Sequence, residues 1–188
     1  MILQAVEHRL SDGDHLSLGA AARILYRVDD NEAEYAPGAR TLAGPLHVVA
    51  FELVDAPADD ALLSAQLTPT GGGPFLLRCD RVDFPPGGVA YLHTHQGPGI
   101  RVLLFGSIRI DTQGETHTYA PFEAWFEPGP EPVFAATSES EPSAFVRCLV
   151  LPRHLQGQSS IRYVRDEDAA KRKPQRYSVF VDELVQRP

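Results

Sequence analysis

Cysteine is rare in this sequence. Cys79 and Cys148 are the only two among 188 residues, and neither belongs to a paired motif. Each lies in an apolar run of strand-like composition, which favours buried free thiols in a reducing compartment over a disulfide bond. The cytoplasm is therefore the expected location.

Basic residues are also in short supply. The 17 Lys and Arg are outnumbered by 25 Asp and Glu, which gives a net charge of −8. Nucleic acids and anionic membranes select a basic face, so neither is an expected partner. No apolar run approaches the roughly 18 residues of a membrane helix. Residues 1–8 lack the basic start and apolar core of a signal peptide.

Two common catalytic or nucleotide-binding motifs are missing. The sequence has neither a Gly-x-Ser-x-Gly nucleophile elbow nor a phosphate-cradling Gly-x4-Gly-Lys-Ser/Thr loop. The run Gly71-Gly72-Gly73 is not followed by a helix start, so it predicts a flexible connector rather than a phosphate site.

Proline and glycine, by contrast, are plentiful and spread along the chain, with 16 and 15 residues. They separate runs rich in β-branched and aromatic residues at roughly 8–12-residue spacing. This pattern predicts an all-β sandwich or barrel with short antiparallel connections. One short helix is predicted at residues 59–64, where Asp59 and Asp60 begin an acidic first turn. The predicted strands are residues 21–28, 46–54, 75–84, 89–95, 101–111, 117–119, 124–127, 132–137, 143–151, 159–164 and 177–181.

The strand signals are densest in the middle of the chain, which suggests three segments. Residues 1–70 have too few apolar positions for an independent core, so they are predicted to form an N-terminal extension that packs on a barrel. Residues 71–152 would form the barrel and residues 153–188 a C-terminal extension. Extra terminal strands without a core of their own suggest a sheet shared between two copies, so a homodimer is expected.

The segment from 85 to 110 carries the most specific chemistry. His93 and His95 are separated by one residue in a predicted strand, so their side chains point to the same face. Two neutral imidazoles held close together form half of a metal site suited to iron, zinc, copper or nickel.

The spacing of this segment resembles the first motif of the cupin superfamily, in which Gly, His-x-His, Glu and Gly follow in order. The matching positions are Gly88, His93, His95, Gly99 and Gly106. Residues 124–135 are similar to the second cupin motif, where a Pro-Gly turn precedes a third histidine ligand. The sequence departs from the family at two ligand positions, because Gly99 stands in place of Glu and Phe134 in place of His. The resemblance, which spans about residues 75–152, implies an all-β double-stranded β-helix, the cupin jelly-roll barrel, with extra N- and C-terminal strands.

A third metal ligand would have to come from outside the usual positions. Glu127 is the first candidate, because it ends the motif-two strand beside the expected cavity mouth; His117 and His47 follow. The bound divalent metal would be Fe, Zn, Mn or Ni.

Four residues are candidate substrate contacts. Strand parity sets Arg101 on the face of Gly99, where it would clamp a carboxylate, unless a bulge at Gly99 turns it outward to an exposed ion pair. Trp125 and Phe134 belong to the aromatic group of the second motif, and Tyr91 precedes the histidine pair on its strand.

Two functions are consistent with these residues. In the first, the protein is a metal-dependent dioxygenase or isomerase acting on a small polar or carboxylate substrate. His93 and His95 then hold the metal, Glu127 completes the site or acts as the catalytic base, and Arg101 orients the substrate. In the second, the protein is a non-catalytic small-molecule binding or sensing cupin that has lost its metal. The missing Glu and His favour the second function, and the intact His-x-His favours the first.

Overall fold

The computed structural model describes residues 1–68 and 73–186. About 58% of the chain is strand and 4% is helix, and every strand pairing is antiparallel. The all-β prediction is confirmed. None of the helices in the described ranges has the length and apolar character needed to cross a membrane.

The N-terminal part forms a five-stranded sheet and a separate strand pair. The sheet contains β1 (Ile2–Leu10), β3 (Ala22–Arg27), β4 (Glu32–Tyr35), β6 (Leu46–Val54) and β7 (Leu63–Gln66), and the pair consists of β2 (His15–Leu18) and β5 (Arg40–Ala43). The order in the sheet is β4-β3-β6-β1-β7.

The rest of the chain forms two further five-stranded sheets. The first barrel sheet contains β8 (Phe75–Phe84), β10 (Gly99–Phe105), β13 (Ala124–Glu127), β15 (Ser143–Pro152) and β17 (Arg176–Val185). The second barrel sheet contains β9 (Val89–His95), β11 (Ile108–Thr112), β12 (Glu115–Tyr119), β14 (Val133–Thr137) and β16 (Ile161–Tyr163). A 3-10 turn at Arg153–Leu155 and the short helix α1 (Asp166–Ala170) lie in the C-terminal segment.

The barrel strands run back and forth between these two sheets. The first barrel sheet has the order β13-β10-β15-β8-β17 and the second has the order β12-β11-β14-β9-β16. Apart from the β11–β12 hairpin, each strand from β8 to β17 lies in the opposite sheet from the strand before it. This alternation is the double-stranded β-helix, or jelly roll, and the predicted fold is confirmed.

The N-terminal sheet covers the outer face of the first barrel sheet. One apolar cluster joins Leu3 and Phe51 of the former to Leu77 and Val102 of the latter. Side chains alternate across a strand, so the neighbours of these outward residues point into the barrel. The site is thus held by a sheet that is packed on both faces.

Some predicted details need correction. The predicted helix at residues 59–64 is wrong, because Leu63–Gln66 instead pairs with the start of β1. Strand β1 itself was not predicted. The predicted strand 101–111 is two strands, because Gly106 turns the chain with a φ of +79°. Residues 71 and 72 of the predicted glycine connector, like the predicted boundary between residues 70 and 71, lie outside the described residues, and the division into three segments stays a prediction.

Candidate functional site

Strand β9 directs two histidines into the barrel. His93 and His95 are 6% and 4% exposed, and their Nε2 atoms lie 3.2 Å apart. His93 Nδ1 lies 2.7 Å from the carbonyl oxygen of Tyr91. A carbonyl only accepts, so Nδ1 carries the proton and Nε2 presents its lone pair to the interior.

Burial keeps both imidazoles in the neutral form. It is the main cause that lowers the pKa of His93, with the charge of Glu127 opposing it. The pKa of His95 lies well below its usual value because of burial and then because of the nearby charges of Arg101 and Arg147. Neutral imidazole is the form that binds metal ions.

Glu127 reaches the same point from the opposite sheet. Its Oε2 lies 3.4 Å from His95 Nε2, and its Oε1 accepts a 2.9 Å hydrogen bond from Trp125 Nε1. In the pairing of β10 with β13, Glu127 lies directly opposite Gly99. A Cβ at Gly99 would meet the Cys148 carbonyl oxygen at 2.5 Å. Position 99 therefore has no room for a glutamate side chain, whereas Glu127 on the neighbouring strand directs a carboxylate to this point.

Arg101 points inward, as the first of its two predicted orientations requires. It is 1% exposed, and its Nη2 lies 2.7 Å from Glu127 Oε2. The angles of this ion pair fall short of a directed hydrogen bond, so both atoms lack a hydrogen-bond partner within the described chain. Nη1 donates to the Gly99 carbonyl oxygen at 2.6 Å. Burial lowers the pKa of Arg101 to about 10.

A second buried ion pair lies beside the first and was not predicted. Arg147 donates from Nε to Asp80 Oδ1 at 2.7 Å and from Nη2 to Asp80 Oδ2 at 3.2 Å. The two residues face each other in the β15–β8 pairing. Nothing local in the sequence marks Asp80, because its partner is 67 residues away.

These side chains surround a small cavity. Its volume is about 20 Å³, the space of a single water molecule. Trp125, which is 3% exposed, forms part of the wall. The polar lining consists of His93, His95, Arg101, Glu127, Arg147 and Tyr177.

Two predicted substrate contacts lie elsewhere. Phe134 alternates with Val133 and Ala135, which line the cavity, so its ring lies on the outer face, with the Arg109 guanidinium 5.9 Å from its centroid. Tyr91 is turned away because the register of β9 shifts between Ala90 and His93. Its ring contacts the Lys171 ammonium at 4.7 Å instead. The two weaker candidate ligands are also remote from the cavity, since His117 is exposed on β12 and His47 binds Glu7 in the N-terminal sheet.

The histidine pair fits a metal ion. Two nitrogens at about 2.0–2.1 Å from a tetrahedral ion lie about 3.3 Å apart, and the observed Nε2 separation is 3.2 Å. Glu127 Oε2, a buried acceptor without a directed hydrogen bond, is the third donor within reach. No group of three or more His, Cys, Asp or Glu side chains in residues 1–68 and 73–186 forms a complete metal cluster, however. Glu127 would therefore have to loosen its contact with Arg101 in order to bind.

Comparison with known proteins gives matches at the level of structure. No family model and no curated protein sequence matches the chain. The polyketide cyclase RemF from Streptomyces resistomycificus matches with 24% identity and a TM-score of 0.39, over 47% of this chain and 61% of the cyclase. An oxalate oxidase in complex with glycolate matches with 17% identity and a TM-score of 0.40, over 53% of this chain and 60% of the oxidase.

Proteins described as cupins or cupin-like also match. A cupin-like protein from Thermotoga maritima has 15% identity and a TM-score of 0.40, over 55% of this chain and 86% of that protein. The chain spans about 60% of the length of the cyclase and the oxidase. The alternation of strands between two sheets shows that this chain has the double-stranded β-helix fold.

Proposed function

We propose that this protein is a metal-dependent cupin enzyme, a dioxygenase or an isomerase, that binds one divalent ion through His93 and His95. One observation carries the proposal: the two Nε2 atoms and Glu127 Oε2 converge, at separations of 3.2 and 3.4 Å, on the wall of a small cavity. The cavity has the size of an ion or a water molecule, and its imidazoles are held neutral.

Neighbouring groups orient these donors. The Tyr91 carbonyl fixes the tautomer of His93. Ser160 Oγ lies 3.5 Å from His95 Nδ1 and can accept a hydrogen bond from the Nδ1–H group when Nε2 is used for binding. Trp125 holds one oxygen of Glu127 by a hydrogen bond, which leaves the other oxygen to Arg101 and the histidines. Such supporting contacts commonly change metal affinity by about 10–100-fold.

Arg101 and Glu127 have distinct roles in this proposal. Arg101 offsets the negative charge of Glu127 in a site where both side chains are buried. Glu127 is then available as third ligand or as a proton acceptor, as its position 3.4 Å from His95 permits. A bound iron, zinc, manganese or nickel ion would supply Lewis-acid or oxygen chemistry.

A second candidate function rests on the same contacts. Glu127 already contacts Arg101 and Trp125, and the two histidines can form a hydrogen bond with each other. Each of these side chains therefore has a neighbouring partner without a metal. This arrangement supports a non-catalytic cupin that binds or senses a small molecule.

Elemental analysis separates the two functions. The protein is purified without a histidine tag or chelator and incubated with Fe(II), Mn(II), Zn(II) and Ni(II) before desalting. We expect near-stoichiometric metal in the wild type and its loss in His93→Ala and His95→Ala. His117→Ala is the matched control, because it removes an exposed histidine outside the cavity.

Metal that depends on both cavity histidines supports the enzyme and justifies a screen for oxygen consumption. Wild-type protein that retains no metal contradicts the enzyme and leaves the non-catalytic function. Equal metal loss in His117→Ala would show that binding is not specific to the cavity.

A further inference from the structure

A second, larger cleft opens beside the histidine cavity. Its volume is about 580 Å³, which is the size of small-molecule sites in general. It lies between β16 and β17, the strands at one edge of the two barrel sheets. Its lining includes residues of β8, β15, β16 and β17 and of the loop 157–160.

The cleft and the cavity share part of their walls. Arg147, Ile161 and Tyr177 line both spaces, so one layer of side chains separates a molecule in the cleft from the histidines. Ser160, which lines the cleft, is 3.5 Å from His95 Nδ1. A ligand in the cleft would thus lie next to the proposed metal site.

One buried arginine retains an unused donor at this wall. Arg78 uses all three of its nitrogens, on Asp182 and on two backbone carbonyls. Arg147 is 5% exposed and uses only Nε and Nη2, both on Asp80. Within residues 1–68 and 73–186, no group accepts a hydrogen bond from Arg147 Nη1. This atom is not one of the fully buried polar atoms without a partner, so part of its surface is exposed. This N–H group is therefore open to a ligand.

Apart from the charged residues and the loop 157–160, the lining of the cleft is apolar and aromatic. Tyr163, Tyr177 and Ile161 line it together with Val179, which is 58% exposed. Tyrosine rings bind flat aromatic ligands through stacked or edge contacts. The Lys173 ammonium lies 4.5 Å from the Tyr163 ring and adds positive charge nearby.

We propose that this cleft binds a small aromatic carboxylate, with the carboxylate on Arg147 Nη1 and the ring against Tyr163 and Tyr177. The charged side chains of the lining are paired, Arg78 with Asp182 and Arg147 with Asp80, so the preference for a carboxylate comes from the one remaining guanidinium N–H group, on Arg147 Nη1. Binding of the carboxylate in the cleft does not depend on the proposed function. Only a reaction of the bound ligand would rest on the proposed metal site.

Calorimetric titration with 1-naphthoate and its neutral analogue 1-naphthamide tests the cleft. Because its hydrogen bond to Arg147 is charge-assisted, naphthoate should bind with an affinity about tenfold or more above that of naphthamide. Val179→Asp places a negative charge in the cleft and should weaken naphthoate about tenfold, with a smaller effect on naphthamide. Leu184→Asp is the matched control, because Leu184 is an exposed residue of the same strand that does not line the cleft. It should bind naphthoate like the wild type.

A double variant tests the role of Arg147. Asp80→Asn with Arg147→Met removes the donor and its counter-charge together, so neither charge is left buried alone. With a native circular dichroism spectrum, this variant should lose the preference for naphthoate. The proposal is overturned if the preference persists there, if the wild type binds both compounds equally, or if it binds neither up to about 10 mM.

The variant His93→Ala/His95→Ala separates this proposal from the proposed function. Naphthoate binding that persists in it places the carboxylate in the cleft, whether or not the protein binds metal. Binding that disappears would show that the carboxylate needs the histidines, and would overturn the assignment to Arg147.

Discussion

The buried ion pair of Arg101 and Glu127 makes a sharp prediction about stability. Arg101 is 1% exposed, and burial lowers its pKa from its usual value to about 10 even with Glu127 beside it. This difference corresponds to roughly 3 kcal/mol against the charged form. Glu127→Gln removes the compensating charge without changing the shape, and should lower the free energy of unfolding by about 3–5 kcal/mol. Arg101→Met, which leaves Glu127 unpaired, should have a similar cost.

A double-mutant cycle checks this reasoning. Urea unfolding of metal-free protein, followed by far-ultraviolet circular dichroism, gives the free energies, and the cycle isolates the coupling between the two residues. Arg101→Met/Glu127→Gln should be markedly more stable than either single variant, because neither charge remains. The exposed pair Arg40–Glu34, with its atoms 3.3 Å apart, is the control, and its cycle should give about 1 kcal/mol or less. If the free energy of unfolding of each single variant lies within about 1 kcal/mol of the wild-type value, the claim that this ion pair is buried away from water is refuted.

Three more predictions concern the surroundings of the site. Gly99→Ala should lower the free energy of unfolding by about 1–3 kcal/mol, because the added Cβ would lie 2.5 Å from a backbone oxygen. Gly19→Ala is the control and should leave the stability unchanged, because there is open space around Gly19. Thermal melts of the two variants make the comparison. Trp125→Phe removes the 2.9 Å hydrogen bond to the site carboxylate and should weaken metal binding about tenfold in competition with a chelator; an unchanged affinity would mean that Glu127 does not bind the ion. The thiols of Cys79 and Cys148 are buried, and burial raises the pKa of each. They should stay unreactive to a thiol reagent at pH 8 until denaturant is added, and rapid labelling of native protein would contradict their placement.

The parts of the fold that could be predicted are those bounded by turn residues. The predicted bounds of β8, β9 and β13 match the structure, because a Pro or Gly stands directly at one or both ends of each strand. Strand β1 was missed, because Ile2–Leu10 mixes apolar and charged residues and owes its conformation to pairing with β6 and β7 on both sides. The same pairing explains why residues 63 and 64 are strand rather than helix: tertiary contacts outweigh local propensity.

The candidate site shows the same division between local and long-range information. Strand parity alone predicts that His93 and His95 share a face, and it gives the inward orientation of Arg101 as one of two alternatives. Parity fails for Tyr91, because the irregularity in β9 depends on its pairing with β14. The partnership of Arg147 with Asp80 and the placement of Glu127 opposite Gly99 are set by strand register between distant segments, which a single sequence does not reveal.

The most direct test of the metal site is anomalous diffraction from crystals soaked in zinc. The account predicts one strong peak inside the barrel at about 2.0–2.1 Å from the Nε2 atoms of both His93 and His95. It also predicts a Glu127 oxygen at about 2.0–2.2 Å from the same peak. Peaks confined to exposed histidines such as His117, or an interior that stays empty while both Nε2 atoms remain 3.2 Å apart, would contradict it.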